Sequence, residues 1–207
     1  MDNAAYWQDV YVRKADDQVS WYQATAATSL DLLDRAGVGL DAAVLDVGGG
    51  ASTLVDGLIA RGHRDVSVLE IAAGALQVAQ ARLAVAGHAD DVHWIAGDVT
   101  AIDLPPHRYD VWHDRAVFHF LTEASQRQAY LATLRRALRP GGVVLVGTFA
   151  DDGPVQCSGL PVCRCDATSL HGAFGPGFRL VDHQRQAHQT PWGSAQPFTW
   201  CLCRLDA

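Results

Sequence analysis

A chain of 207 residues, 49% hydrophobic and 19% charged, carries enough apolar residues for one α/β domain with a full core and is short for two. Its net charge of −7, with a single lysine among sixteen basic residues, argues against a nucleic-acid backbone as the main partner, because that affinity comes from clustered Lys and Arg. No run of about 18 apolar residues offers a membrane span, and the N-terminus lacks a basic region followed by an apolar one, so the reading is cytoplasmic.

Residues 1 to 40 read as two helices. Trp7, Val10 and Tyr11 form one apolar cluster, and Trp21, Tyr22, Leu30, Leu32 and Leu33 form another, with a hinge at Asp16-Asp17. From Ala42 onward strands and helices alternate: strand 43–47, helix 52–61, strand 66–70, helix 73–86, strand 92–96, strand 109–114, helix 123–138 and strand 143–149. Such alternation predicts a parallel sheet with helices on both faces. Residues 150–176, rich in Gly, Pro and Cys, read as a long loop with one short helix near 166–173. Two closing strands, 178–183 and 198–205, are joined by the turn-rich Thr190-Pro191-Trp192-Gly193 and predict an antiparallel hairpin.

The segment that organises the rest is Val44-Leu45-Asp46-Val47-Gly48-Gly49-Gly50-Ala51-Ser52: a buried strand, a glycine turn and the start of an amphipathic helix. Glycine admits backbone angles and a close approach of backbone to ligand that a Cβ would block. Glu70 closes the next strand, twenty positions beyond Gly50, where a carboxylate accepts from both hydroxyls of a ribose. Asp98 follows the third strand, in Ala96-Gly97-Asp98-Val99. The ligand expected is therefore a nucleoside. With Gly48 taken as the first glycine, Thr53 occupies the third position of a dinucleotide fingerprint, which weakens that reading, and no Gly-Lys-Ser or Gly-Lys-Thr exists for a P-loop.

These motifs resemble those of the class I S-adenosylmethionine-dependent methyltransferases. Val44-Leu45-Asp46-Val47-Gly48-Gly49-Gly50 is similar to the family's first motif, Glu70-Ile71 to the second, Gly97-Asp98-Val99 to the third, and Leu138-Arg139-Pro140-Gly141-Gly142 to the turn before the fifth strand. The resemblance implies a Rossmann-like, mostly parallel seven-stranded sheet with helices on both faces and a C-terminal antiparallel hairpin. It implies S-adenosylmethionine as the cofactor, with Gly48, Gly49 and Gly50 beside its methionine portion, Asp46 positioning the amino-acid end, Glu70 on the ribose, Ile71 and Val99 about the adenine, and Asp98 accepting from the adenine amino group. The chain then divides into an N-terminal helical lid (1–40), a cofactor-binding core (41–150) and a substrate-side loop with the hairpin (151–207).

Acceptor-side residues should follow the fourth strand, in His113-Asp114-Arg115-Ala116-Val117-Phe118-His119. The Asn/Asp-Pro-Pro-aromatic clamp of enzymes that methylate amide or adenine nitrogens is missing there. His113 and His119 are instead candidate bases, with Asp114 to orient them, since imidazole titrates near neutrality. Tyr11, Trp21 and Tyr22, with Arg115, are expected around the acceptor. The acceptor expected is a small molecule. Asp114-Arg115 also resembles the Asp-Lys of small protein lysine methyltransferases, though Ala116-Val117 replaces their Gly-Thr, so a protein side chain is the alternative, with a non-catalytic cofactor-binding module behind it. Cys157, Cys163, Cys165, Cys201 and Cys203 read as buried or incidental thiols and not as a metal site, because C-x-C spacing matches structural zinc poorly.

Overall fold

The structure, a computed structural model, describes residues 3–13, 16–88 and 90–206. Strands β1 (Ala43–Val47), β2 (Asp65–Glu70), β3 (Val92–Ala96), β4 (Tyr109–Arg115) and β5 (Leu138–Phe149) run parallel. After a short hairpin of β6 (Gln156–Cys157) and β7 (Leu160–Pro161), strands β8 (Phe178–Gln189) and β9 (Ala195–Leu205) add to the sheet antiparallel. The order is β3-β2-β1-β4-β5-β9-β8, the seven-stranded sheet and terminal hairpin that the sequence predicts. Chain direction across the sheet reverses between β1 and β4, and beyond the carboxyl ends of strands at such a switch point a ligand crevice forms.

Strand alternation sorts side chains onto two apolar layers. Val44, Val66, Val68, Val111 and Leu145 face one layer, covered by α2 (Ala27–Arg35) and α3 (Leu54–Ala60). Leu45, Val47, Leu69, Trp112 and Val144 face the other, covered by α5 (Ala124–Ala137) and α6 (Ala167–Phe174), the last two of the helices that also include α1 (Asn3–Arg13) and α4 (Ala73–Val85). Buried residues of α5, Tyr130, Thr133, Leu134 and Ala137, recur at helical spacing, and the side chain of Gln126 accepts from the Glu123 amide at 3.1 Å to cap its first turn. Asp166 caps α6 by accepting from the Ser169 amide at 2.7 Å.

Three expectations need correction. Only α2 lies in the stretch expected to form a second helix: Trp21 and Tyr22 sit in a turn, Tyr22 N donating to Val19 O, and residues 19–26 are held by Thr53 Oγ1 donating to Gln23 O at 3.1 Å. The first closing strand runs twelve residues instead of six, because its polar residues alternate with half-buried ones on a sheet edge where one side faces water. The β6–β7 hairpin was unforeseen; it turns through Ser158 and Gly159, both at positive φ (49° and 75°). No helix among the described residues is long and apolar enough to cross a membrane.

Candidate active site

Two cavities open at the carboxyl ends of β1, β2 and β4 and share Tyr11, Trp21, Gly48 and Arg115 as walls. The larger encloses an empty volume of about 910 Å³, part of it open to solvent. Glu70, Ile71, Asp98 and Val99 line its one side. Trp7, Phe120 and Cys157 line it with the shared residues on the other. The smaller cavity lies under the glycine turn, against Asp46, Gly49, Ser52 and His113.

Glycine is required in this turn by space as well as by angle. Gly48 has φ +66°, and a Cβ there would lie 2.0 Å from Val117 Cγ2. A Cβ on Gly49 would come within 2.6 Å of Asp46 Oδ2 and 2.7 Å of Val68 Cγ1. At Gly50 it would meet Tyr11 Oη at 2.7 Å and Glu70 Oε2 at 3.1 Å, so α1 brings a phenol to the carboxylate that ends β2. A second tie of α1 to this half is Gln8 Oε1, which accepts from the Gly74 amide at 2.9 Å.

Glu70 and Asp98 line the larger cavity, and Asp46 lines the smaller with one oxygen unpartnered. Glu70 Oε1 accepts from the Ala72 amide at 2.9 Å, while burial pushes its pKa up to about 7 against the pull of the Ala72 and Ile71 amides. Asp98 Oδ1 accepts from the amide and hydroxyl of Thr100 at 2.8 and 2.7 Å. Asp46, 2% exposed, uses Oδ1 for His113 and leaves Oδ2 buried and unpartnered.

The fourth strand departs from expectation. His113 and Asp114 are neighbours on β4 and so point to opposite faces of the sheet; Asp114 does not orient His113. Asp46 of β1 does, with His113 Nδ1 donating to its Oδ1 at 2.7 Å, since a carboxylate only accepts. The Nε2 atom of His113 accepts from Ser29 Oγ of α2 at 2.9 Å. Both ring nitrogens are thus engaged, and the imidazole is a bridge between β1 and α2.

Asp114, fully buried, accepts from the amides of Val117 and Phe118 at 2.9 and 3.0 Å and from Tyr130 Oη at 2.7 Å; burial raises its pKa to about 6. Trp112 Nε1 donates in turn to Tyr130 Oη at 2.8 Å. This network fastens the turn after β4 onto α5. His119 is likewise 0% exposed, packed on Phe120 and Phe149, and burial, with Arg115 nearby, drives its pKa down to about 3. Neither Asp114 nor His119 lines either of these two cavities. Both are corrected from catalytic candidates to residues of the scaffold, because a group without access to the cavity cannot take a proton from an acceptor.

The aromatic expectation for the acceptor side places Tyr11 and Trp21 in both cavities and Tyr22 in the smaller. Trp7 packs edge-on against Trp21 and Phe120, with centroids 5.9 and 5.0 Å apart, and Tyr11 against Trp21 at 6.3 Å. The sequence reading noted Trp7 as an apolar residue and missed Phe120 and Cys157 as wall residues. Phe120 lies within the post-β4 segment already singled out, whereas Cys157 reaches the cavity through the β6–β7 hairpin, which left no periodic signal. No disulfide joins the cysteines among the described residues; burial pushes Cys201 and Cys203 up to about 12 and Cys165 upward, which keeps these thiols protonated.

Comparison with known proteins adds to this geometry. Residues 44–142 match the family described as methyltransferase domain. A ubiquinone/menaquinone biosynthesis C-methyltransferase of Hahella chejuensis is 26% identical over 182 residues, covering 83% of this chain and 72% of its own. A malonyl-[acyl-carrier protein] O-methyltransferase of Serratia marcescens is 34% identical over 160 residues, covering 75% of this chain and 58% of its own. Among solved structures, one from work on conversion of a disulfide bond into a thioacetal group during echinomycin biosynthesis superposes with a TM-score of 0.80 at 19% identity, covering 98% of this chain and 91% of that one. The 1,6-didemethyltoxoflavin-N1-methyltransferase of Burkholderia thailandensis, solved with 1,6-didemethyltoxoflavin and S-adenosylhomocysteine, gives 0.69 at 21% identity, covering 99% and 84%.

Proposed function

We propose that this chain, which belongs to the class I S-adenosylmethionine-dependent methyltransferase family, methylates a small-molecule acceptor held under α1, and does so by positioning the acceptor without a histidine base. The observation that carries the reading is the opposition within one cavity of strand-end acids, Glu70 and Asp98, to an aromatic wall of Trp7, Trp21 and Phe120. When bound, S-adenosylmethionine supplies an electrophilic methyl group on a sulfonium. Glu70 would hold its ribose through Oε2, Ile71 and Val99 would flank its adenine, and Asp98 would accept from the adenine amino group. Gly48, Gly49 and Gly50 leave room for the methionine portion, and the unpartnered Oδ2 of Asp46 suits its ammonium.

On the acceptor side the chain excludes water with aromatic rings and fixes approach, the largest contributions such a displacement needs. The indole and phenyl walls support a free small molecule over a lysine presented by a protein surface. Among the relatives, the ubiquinone/menaquinone C-methyltransferase and the 1,6-didemethyltoxoflavin-N1-methyltransferase are named for small molecules, and the malonyl-[acyl-carrier protein] O-methyltransferase for an acyl group on a carrier protein.

The test is calorimetry followed by a screen. S-Adenosylhomocysteine should bind and NAD should bind far more weakly; the reverse order sinks the cofactor assignment. With labelled S-adenosylmethionine, transfer should appear on members of a small-molecule panel of thiols, phenols, amines and carboxylic acids. Label found on protein bands of a lysate, and on none of the small molecules, moves the function to protein methylation.

A further inference from the structure

Arg115 is a half-buried residue whose guanidinium sits in an unusual setting. It ends β4 and forms part of the shared wall, and among the described residues it is the one arginine or lysine lining either cavity. Nη1 donates to the Trp21 carbonyl at 2.8 Å, and the guanidinium lies over the Phe198 ring at 4.9 Å. Nε and Nη2 are buried with no hydrogen-bond partner, and no carboxylate among the described residues forms an ion pair with it. Every other arginine shown at an ion pair meets its acid on a half-exposed or open surface, as Arg35 meets Asp182 and Arg185 meets Asp151. Burial lowers the Arg115 pKa to about 10, so it remains charged at neutral pH. A charged guanidinium with two idle donors is expensive to bury. Two parallel N–H groups match the two oxygens of an oxyanion.

Among the described residues, no histidine lines the larger cavity. His113 has both nitrogens engaged, and His119 stands behind the wall. Of the remaining acids, Glu70 and Asp98 lie on the cofactor half. An acceptor that arrives already ionised needs no base.

We propose that Arg115 selects an organic oxyanion as the methyl acceptor: a carboxylate, or an enol acidic enough to be ionised at neutral pH. This rests on the methyl-transfer reading above. In the step, the electron pair of the anion forms a bond to the methyl carbon, the carbon–sulfur bond breaks, and its pair returns to sulfur. The anion and the sulfonium both become neutral, and no proton moves. Arg115 binds the charge on entry and holds it beside the aromatic wall of Trp7 and Phe120, which favours a flat apolar body behind the charged group. Arg115 lines both cavities and is held by Trp21 and Phe198, outside the β1–β3 strands that carry Glu70 and Asp98; the comparison of S-adenosylhomocysteine with 5′-methylthioadenosine separates the anion of the acceptor from the carboxylate of the cofactor.

The experiment titrates protein saturated with S-adenosylhomocysteine with two matched pairs, phenylacetate against phenylacetamide and dimedone against cyclohexanone. At least one anion should bind tenfold or more tightly than its neutral partner. Arg115→Gln should erase that preference, and Arg115→Lys should keep part of it, with thermal unfolding to show that both variants fold. Equal binding of anion and neutral partner by the wild type overturns the proposal without any variant. A tenfold loss of S-adenosylhomocysteine affinity in Arg115→Gln, with 5′-methylthioadenosine affinity unchanged, also overturns it, because Arg115 would then serve the carboxylate of the cofactor. Methylation of neutral acceptors alone overturns the anion selection and leaves methyl transfer standing. Failure of the wild type to bind S-adenosylhomocysteine removes the reading beneath both.

Discussion

Glu70 and Asp114 are the same kind of residue in the same kind of place: a carboxyl at the carboxyl end of a parallel strand, buried, with its pKa raised by desolvation to about 7 and about 6. Their surroundings separate them. Asp114 is met by two backbone amides and a tyrosine hydroxyl, so both its oxygens are satisfied within the chain. Glu70 has amide contacts on one side, while Oε2 looks across the glycine turn. A perturbed acid marks a binding site when its hydrogen-bonding capacity is left open, and a structural joint when that capacity is filled.

The largest expected effect breaks the joint. Asp114→Ala strands the Tyr130 hydroxyl and two amides, and should cost on the order of 3–5 kcal/mol in denaturant unfolding. A loss under about 1 kcal/mol would place Asp114 outside the scaffold.

The next effect sharpens the other half. Glu70→Ala should weaken S-adenosylhomocysteine binding by on the order of 2–4 kcal/mol, roughly 30- to 1000-fold, with the fold intact. The pH signature is more specific. Because the folded pKa of Glu70 is raised from 4.5 to about 7, the folded protein holds the extra proton between these values. Glu70 should therefore contribute a decline in stability of the unliganded protein as pH rises through that window, read as the difference between the wild-type and Glu70→Gln profiles, because Asp114, raised to about 6, adds a decline of its own and His119, lowered to about 3, opposes it. Ligand affinity runs in the opposite sense: it should weaken by up to about tenfold per pH unit as the pH falls below about 7, where ribose hydroxyls lose their carboxylate. A flat profile in the wild type would mean that Glu70 is not the group that meets the ribose.

The smallest effect concerns His119. Replacing it by Phe, a ring of similar size without the unpartnered Nε2, should leave turnover within about threefold and stability within about 1 kcal/mol. A fall in turnover of 10²-fold or more, an effect on the scale of about 10²–10⁴ for a lost general base, would restore His119 to the chemistry.

What the sequence made legible follows from the same contrast. Glycine turns, strand-end acids and the alternation of elements are set by local chemistry, and Gly48, Glu70 and Asp98 stand where the motifs put them, around one cavity. The histidines were misread for a physical reason. β4 is covered on both faces, so its run Val111-Trp112-His113-Asp114 is buried throughout and carries no alternation to show which side chain shares a face with which. The partner of His113, Asp46, lies 67 residues away on the adjacent strand, paired at the same register. Trp21 and Tyr22 were drawn into a helix by their spacing from Leu30, when a turn pinned to Thr53 delivers them to the cavity.

No residue of α1 is buried, although it supplies Trp7 and Tyr11 to the cavity wall. A segment held by ring edges and by a few bonds, such as those from Tyr6 to Ser158 and from Gly74 to Gln8, leaves its place without uncovering either apolar layer. Ligands that fill the cavity lined by Trp7 and Tyr11 should therefore reveal themselves first as resistance of residues 3–13 to a protease.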